Sequence, residues 1–159
     1  MTQVEQPLPA PRRSAAWQRL LPVMYGFIKL MDPLIRASWR ASGSGLRNVV
    51  ELRVVGRRSG VYRRVLLTLL RDGDQWFLGQ PNGDVHWTRN LEAAGTADIA
   101  FRDAPLVTVS ARLLPPGPIR DRAIRSTGQH PFPANLVYRL ARPHIRAVGV
   151  FFAIDRISA

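Results

Sequence analysis

Apolar residues recur at three- and four-residue steps from Trp17 onward, through Leu20, Leu21, Met24, Phe27, Ile28 and Met31. That spacing places them on one side of a helix. Proline is tolerated only in a helix's first turn, so a start at Pro22 competes with a start at Trp17. A second short helix is expected over 33–41, where Leu34, Ile35 and Trp39 are mixed with Arg36 and Arg40. Ser42-Gly43-Ser44-Gly45 ends it. The period then changes to two. Residues 48–55 (NVVELRVV) are β-branched and half alternating, as in a strand. After Gly56-Arg57-Arg58-Ser59-Gly60, residues 61–71 form a second strand, closed by the hairpin signal Asp72-Gly73-Asp74. Residues 75–80 form a third, so the three read as an antiparallel meander. Helical spacing returns over 86–94, with Trp87, Leu91 and Ala94, and stops at Gly95. Strands are expected over 97–102, 106–114 and 147–157, and helices over 119–127 and about 134–141. The pattern fits an α+β fold, a small barrel of about six mostly antiparallel strands with N-terminal and peripheral helices. Closure leaves no exposed sheet edge.

Residues 1–15, rich in proline, read as a disordered tail, and 16–159 as one domain. The 159 residues are 46% hydrophobic and 21% charged, which excludes a wholly disordered chain. Cysteine is absent, which removes disulfides, thiolate metal sites and cysteine nucleophiles. No apolar run is long enough to span a membrane, and Pro22 and Lys29 interrupt the one that faintly mimics a signal peptide. A cytoplasmic setting is expected, with contact at the inner face of a membrane left open.

Charge changes the picture. Twenty-three basic residues against 11 acidic ones give +12, and Lys29 is the one lysine. Arginine in such excess reflects coding bias more than individual function, yet one group has a position that explains it. Arg57, Arg58, Arg63 and Arg64 fall on one glycine-bracketed turn and the strand after it. Free N–H groups in such a turn favour anions, and guanidinium groups grip phosphate or carboxylate bidentately. A solvated hairpin end explains the group equally well. The arginines elsewhere are scattered and lack interleaved aromatics, so nucleic acid is not the expected partner.

Other chemistry is sparse. No nucleophile elbow, HExxH, phosphate loop or GxGxxG occurs. His86, His130 and His144 are far apart, and no metal is expected. On the helix over 86–94, Trp87, Asn90 and Leu91 share a face. Asn90 there needs a partner, which is backbone, the loop at Asn82-Gly83, or a ligand.

The ordered set Gly56-Arg57-Arg58-Ser59-Gly60, Arg63-Arg64, Asp72-Gly73-Asp74 and Trp87-Thr88-Arg89-Asn90-Leu91 resembles the deazaflavin-dependent nitroreductase family. Members of that family bind coenzyme F-420, an 8-hydroxy-5-deazaflavin. The resemblance is tight over about a third of the chain and loose over most of it. It implies a split β-barrel of the flavin-reductase type. It also implies that Arg57, Arg58, Ser59, Gly60 and Arg63 hold the coenzyme's phosphate and glutamate tail. Gln80-Pro81-Asn82-Gly83 then lies beside the ring, with Asn82 where the family often has lysine. Trp87 and Asn90 complete the cofactor side, and Tyr138 stands on the substrate side. Leu66 replaces a common proline, and the loop before Trp87 is a few residues short.

The implied activity is hydride transfer from reduced F-420 to a quinone, activated alkene or nitro compound. Such a cofactor carries the hydride itself, which accounts for the missing acid–base pair. The alternative is a non-catalytic binder of flavin, haem, tetrapyrrole or lipid on the same barrel. FMN ranks behind F-420 as cofactor, and a homodimer is compatible with the fold. An N-terminal helix with basic flanks has two roles open to it, lying on a membrane or covering the core.

Overall fold

The computed structural model describes residues 7–30, 33, 34, 37, 41, 48–102 and 104–157, without the side chains of Ile28 and Lys29. Most of the expected helix over 33–41 therefore lies outside the described residues. In chain order come helix α1 (Ala15–Leu30) and strands β1 (Val49–Val55), β2 (Tyr62–Thr68), β3 (Leu70–Asp72) and β4 (Gln75–Gln80). Helix α2 (His86–Ala94), β5 (Thr96–Ala100) and β6 (Val107–Leu113) follow. Helix α3 (Pro118–Arg125), a 3-10 turn (Ser126–Gln129), α4 (Ala134–Leu140), α5 (Arg142–Val148) and β7 (Val150–Arg156) complete the fold.

The seven strands form one sheet in the order β2-β1-β5-β6-β7-β4-β3, with antiparallel pairing throughout. The expected strand over 61–71 is thus two strands. Only Leu69 separates β2 from β3, yet they occupy opposite ends of the sheet. The sheet must curl until its two ends meet at that residue, but β2 and β3 share no ladder, so both stay edges and the expectation of a barrel without edges is corrected. Leu69 is wholly buried, and its N–H donates to the Asn48 carbonyl at 2.7 Å. The meander reading is corrected in the same way. β1–β2 and β3–β4 are hairpins, but β2 and β3 do not pair with each other.

Side chains alternate across the strands as the pleat requires. Val50, Leu52, Leu78, Ile99, Val109 and Phe152 fill the barrel. Their strand neighbours Phe77 and Phe151 point the other way, against Ala123, Ile124, Tyr138 and Ile145 of the C-terminal helices. Because β4 and β7 are buried on both faces, their sequences are apolar without alternation. The last strand is shorter than expected, since Ala147 and Val148 belong to α5, which the sequence reading missed. Arg120 is buried at that helix's C-terminus, donating to the carbonyls of Arg146 and Gly149 at 3.0 and 2.5 Å. A cation suits this end of a helix dipole.

Pro22 lies inside α1, so the helix neither starts nor stops there. Pro22 itself is exposed, while Trp17 and Leu21 anchor the preceding turns. Residues 7–14 form no helix or strand. They are held against α5, with Arg12 N–H on the Pro143 carbonyl at 2.9 Å. The Arg146 guanidinium donates to the carbonyls of Leu8 and Pro9 at 3.2 and 3.0 Å.

Gly79 of β4 pairs with Phe151, and a Cβ there would collide with the phenyl ring. The ring is fixed in the core, so Gly79→Ala is expected to cost about 1–3 kcal/mol in urea unfolding. An unchanged midpoint would contradict this packing.

Candidate functional site

A cleft of about 990 Å³ opens between α1, β2, the turn after β1, and the loop from β4 into α2. The turn owes its shape to its glycines. Gly60 has φ +66° and donates its N–H to the Gly56 carbonyl at 2.8 Å. A side chain at Gly56 would collide with the Ser59 hydroxyl at 2.7 Å. Ser59 Oγ accepts the Val61 N–H at 3.3 Å and tightens the turn further.

Asn90 fixes the turn to the barrel. Its side chain is buried in α2, and Oδ1 accepts both the Arg57 backbone N–H at 3.2 Å and Arg57 Nη1 at 3.1 Å. The partner left open by the sequence is therefore the basic turn itself. Leu91, next on the same face, is wholly buried in the barrel core, so α2 cannot rotate without losing both contacts. The start of α2 is secured by Asp84, which accepts from the Thr88 hydroxyl at 2.5 Å and from Arg89 Nε at 2.6 Å. Burial opposes ionisation of Asp84. The bonds from Thr88 and Arg89 and the charges of Arg89 and Arg57 outweigh it, and the carboxyl lies below its usual range.

Arg58, Ser59 and Arg63 line the cleft with Arg57, and Arg64 joins them from β2. Val65, Leu66 and Leu67 continue that wall with apolar surface. Gln80, Asn82, Trp87 and Asn90 also line it, whereas Gly60, Pro81, Gly83 and Tyr138 do not. The Trp87 indole N–H reaches Gln80 Oε1 at 3.4 Å, and its ring leans on Phe152 with centroids 6.2 Å apart.

Tyr138 lies behind the wall, buried and stacked on His130 at 4.0 Å between centroids. Its hydroxyl shares a 2.6 Å hydrogen bond with that of Tyr25, which does line the cleft. Burial raises the pKa of both phenols, so the pair stays protonated at neutral pH. The sequence reading missed Tyr25. Its signal was the four-residue spacing of Trp17, Leu21 and Tyr25 on one side of α1.

His144 joins the N-terminal segment to the cleft. Its Nδ1 accepts the Ser14 N–H at 3.2 Å, and Nε2 faces Asn82 Oδ1 at 2.9 Å. Only the neutral ring with its proton on Nε2 serves both bonds. Burial, with the Arg13 charge adding, lowers the His144 pKa. Asn82 therefore holds the loop in place through a neutral partner, at the position where the resemblance expected a cation.

No protein-family model and no curated protein matches the chain. Solved structures do. One is an F-420-H2 dependent reductase, FDR-A, at 20% identity and a TM-score of 0.51, covering 67% of this chain and 94% of that one. Another is HutZ, the heme storage protein from Vibrio cholerae, at 13% identity and a TM-score of 0.54, covering 81% and 92%. A third is a chain that forms a domain-swapped dimer, at 16% identity and a TM-score of 0.51, covering 82% and 98%. The fold is a split β-barrel. These likenesses carry the architecture across; the cleft residues are this chain's own.

Two predictions follow from the cleft's supports. Asn90→Ala removes the buried acceptor of both the Arg57 backbone N–H and Arg57 Nη1, and the loss of the two bonds is expected to cost about 1–3 kcal/mol in chemical unfolding. A neutral urea midpoint would refute that role. His144 has a depressed folded pKa, so its stabilisation is complete above its unfolded pKa of about 6.5 and is lost as pH falls. His130 is shifted down as well, chiefly by burial. The melting temperature should drop as pH falls below about 6.5, and His144→Asn should flatten part of that slope. A variant with the full wild-type slope would remove His144 from the account.

Proposed function

We propose that the protein is an oxidoreductase that binds reduced coenzyme F-420 in this cleft and passes a hydride to a small electron-poor acceptor. The acceptor class is a quinone, an activated alkene or a nitro compound. The observation that carries the reading is the meeting, around one cleft, of the basic turn, the β2 arginines, the Gln80–Asn82 loop and Trp87. The resemblance had named most of these residues from separate stretches of sequence.

The residues fit the group. Arg58, Arg63 and Arg64, with the Ser59 hydroxyl, supply donors for the phosphate and the carboxylates of the glutamate tail. This set exceeds what the single phosphate of FMN requires, so F-420 is preferred. Arg57 has one N–H committed to Asn90, and it contributes charge and holds the turn. The apolar wall of Val65 and Leu67, with Trp87 and Tyr25, suits a planar ring and a stacked acceptor. When bound, the coenzyme supplies the hydride. The chain's part is to grip the tail, orient the ring and exclude water. Tyr138 acts through Tyr25, holding its hydroxyl at the cleft wall. A homodimer belongs to the proposal, supported by the likeness to the domain-swapped chain.

Arg58→Ala or Arg63→Ala should weaken F-420 binding by about 1.5–3 kcal/mol, the loss of a charge-assisted hydrogen bond. Fluorescence titration of the purified protein measures it. Absence of saturable binding by the wild type would sink the reading.

A second reading is a haem-binding barrel. His86 lines the cleft and offers an imidazole, and the likeness to HutZ supports it. The visible spectrum of the protein with added haemin separates the two. A Soret band lost in His86→Ala would favour haem, and its absence alongside F-420 binding would favour the reductase.

A further inference from the structure

Helix α1 has two unlike faces. Leu21, wholly buried, Trp17 and Tyr25 face the body, and Pro22 and Tyr25 wall the cleft. Leu20, Val23, Phe27 and Leu30 lie on the other side, 52%, 70%, 64% and 77% exposed. Leu34, beyond the helix, is 62% exposed and extends the spacing. Lone exposed apolar residues are ordinary, but a continuous helical stripe of large ones marks an interaction surface.

The charges around the stripe select its occupant. No acidic residue occurs between Glu5 and Asp32, while Arg12, Arg13, Arg19 and Lys29 do. Arg12, Arg13 and Arg19 are exposed. A second copy packed stripe to stripe would bring like charges together, with no carboxylates to answer them. An anionic lipid surface answers them all, and apolar side chains set beside cations are what the headgroup–acyl boundary accepts. No described helix is long and apolar enough to cross a membrane, so the contact would be lateral.

We propose that the exposed face of α1 docks the protein on the surface of an anionic bilayer, with Leu20, Val23, Phe27 and Leu30 inserted and the neighbouring arginines on the headgroups. The same helix closes the cleft, so docking sets the cleft's mouth close to the lipid. The inference stands apart from the choice of cofactor, because none of the four stripe residues lines the cleft.

Co-sedimentation of the full chain with vesicles of phosphatidylglycerol and phosphatidylcholine tests it. Binding should fall sharply with phosphatidylcholine alone, and when salt rises from about 0.1 to about 1 M. The double variant Leu20→Gln, Phe27→Gln should lose about tenfold or more in partitioning. Both positions are exposed, so its melting temperature should match the wild type. Failure of the wild type to sediment with the anionic vesicles would overturn the proposal. So would undiminished binding by a folded double variant. Light scattering covers the rival occupant: a wild-type dimer that the double variant turns into monomer would assign the stripe to a second copy instead. If the double variant does not fold, Val23→Gln alone, 70% exposed in the wild type, takes its place with the same readouts.

Discussion

The structure depends on the closure of one sheet at Leu69. The chain leaves β2 at one end of the strand order and enters β3 at the other, across a single residue. That is feasible only if the sheet is rolled, and a rolled sheet of seven strands has an interior to fill. Val50, Leu52, Leu78, Ile99, Val109 and Phe152 fill it. The outward aromatics of β4 and β7 then need a cover, which α3, α4 and α5 provide. The helices are consequences of the closure, since they shield the strands that the roll leaves apolar on both sides.

The cleft follows from the same closure. β2 is an edge of the sheet, so one side of it remains open to a ligand and presents Arg63, Arg64 and the apolar residues after them. The basic turn before β2 is held by a side chain from a different element, Asn90 of α2, whose own neighbour is locked in the core. Burial of Leu91 is thereby converted into the position of Arg57. On the far wall, Asn82 is fixed through His144, and Tyr25 through Tyr138. The basic turn, Asn82 and Tyr25 are thus each anchored to the packed body by a polar contact from behind. The guanidinium groups of Arg58, Arg63 and Arg64 keep their place on its surface.

Local signals were legible where short-range rules govern. The hairpin at Gly73, the strand over 75–80, and the helix ending at Gly95 follow from turn chemistry and period, because each is decided within a few residues. Signals failed where partners are distant. Proline inside α1 leaves two starts open to local rules, and contacts of Trp17, Leu21 and Tyr25 on either side hold the helix through it from Ala15. The helix before β7 carries no clear period, since its seven residues include two arginines, a histidine and a proline, and only its last two, Ala147 and Val148, merge with the apolar run of the strand.

The sequence alone determined the class of fold, the basic turn and its glycines, and which residues were candidates for an anion. These are properties of neighbouring residues: periodicity, backbone freedom and the density of guanidinium groups. The tertiary structure decided that 61–71 is two strands and that Asn90 serves Arg57. It also set Tyr25 at the cleft with Tyr138 behind it, and left half of α1 bare. Each of these rests on a contact between residues dozens of positions apart, and such pairs are settled by how the closed sheet packs.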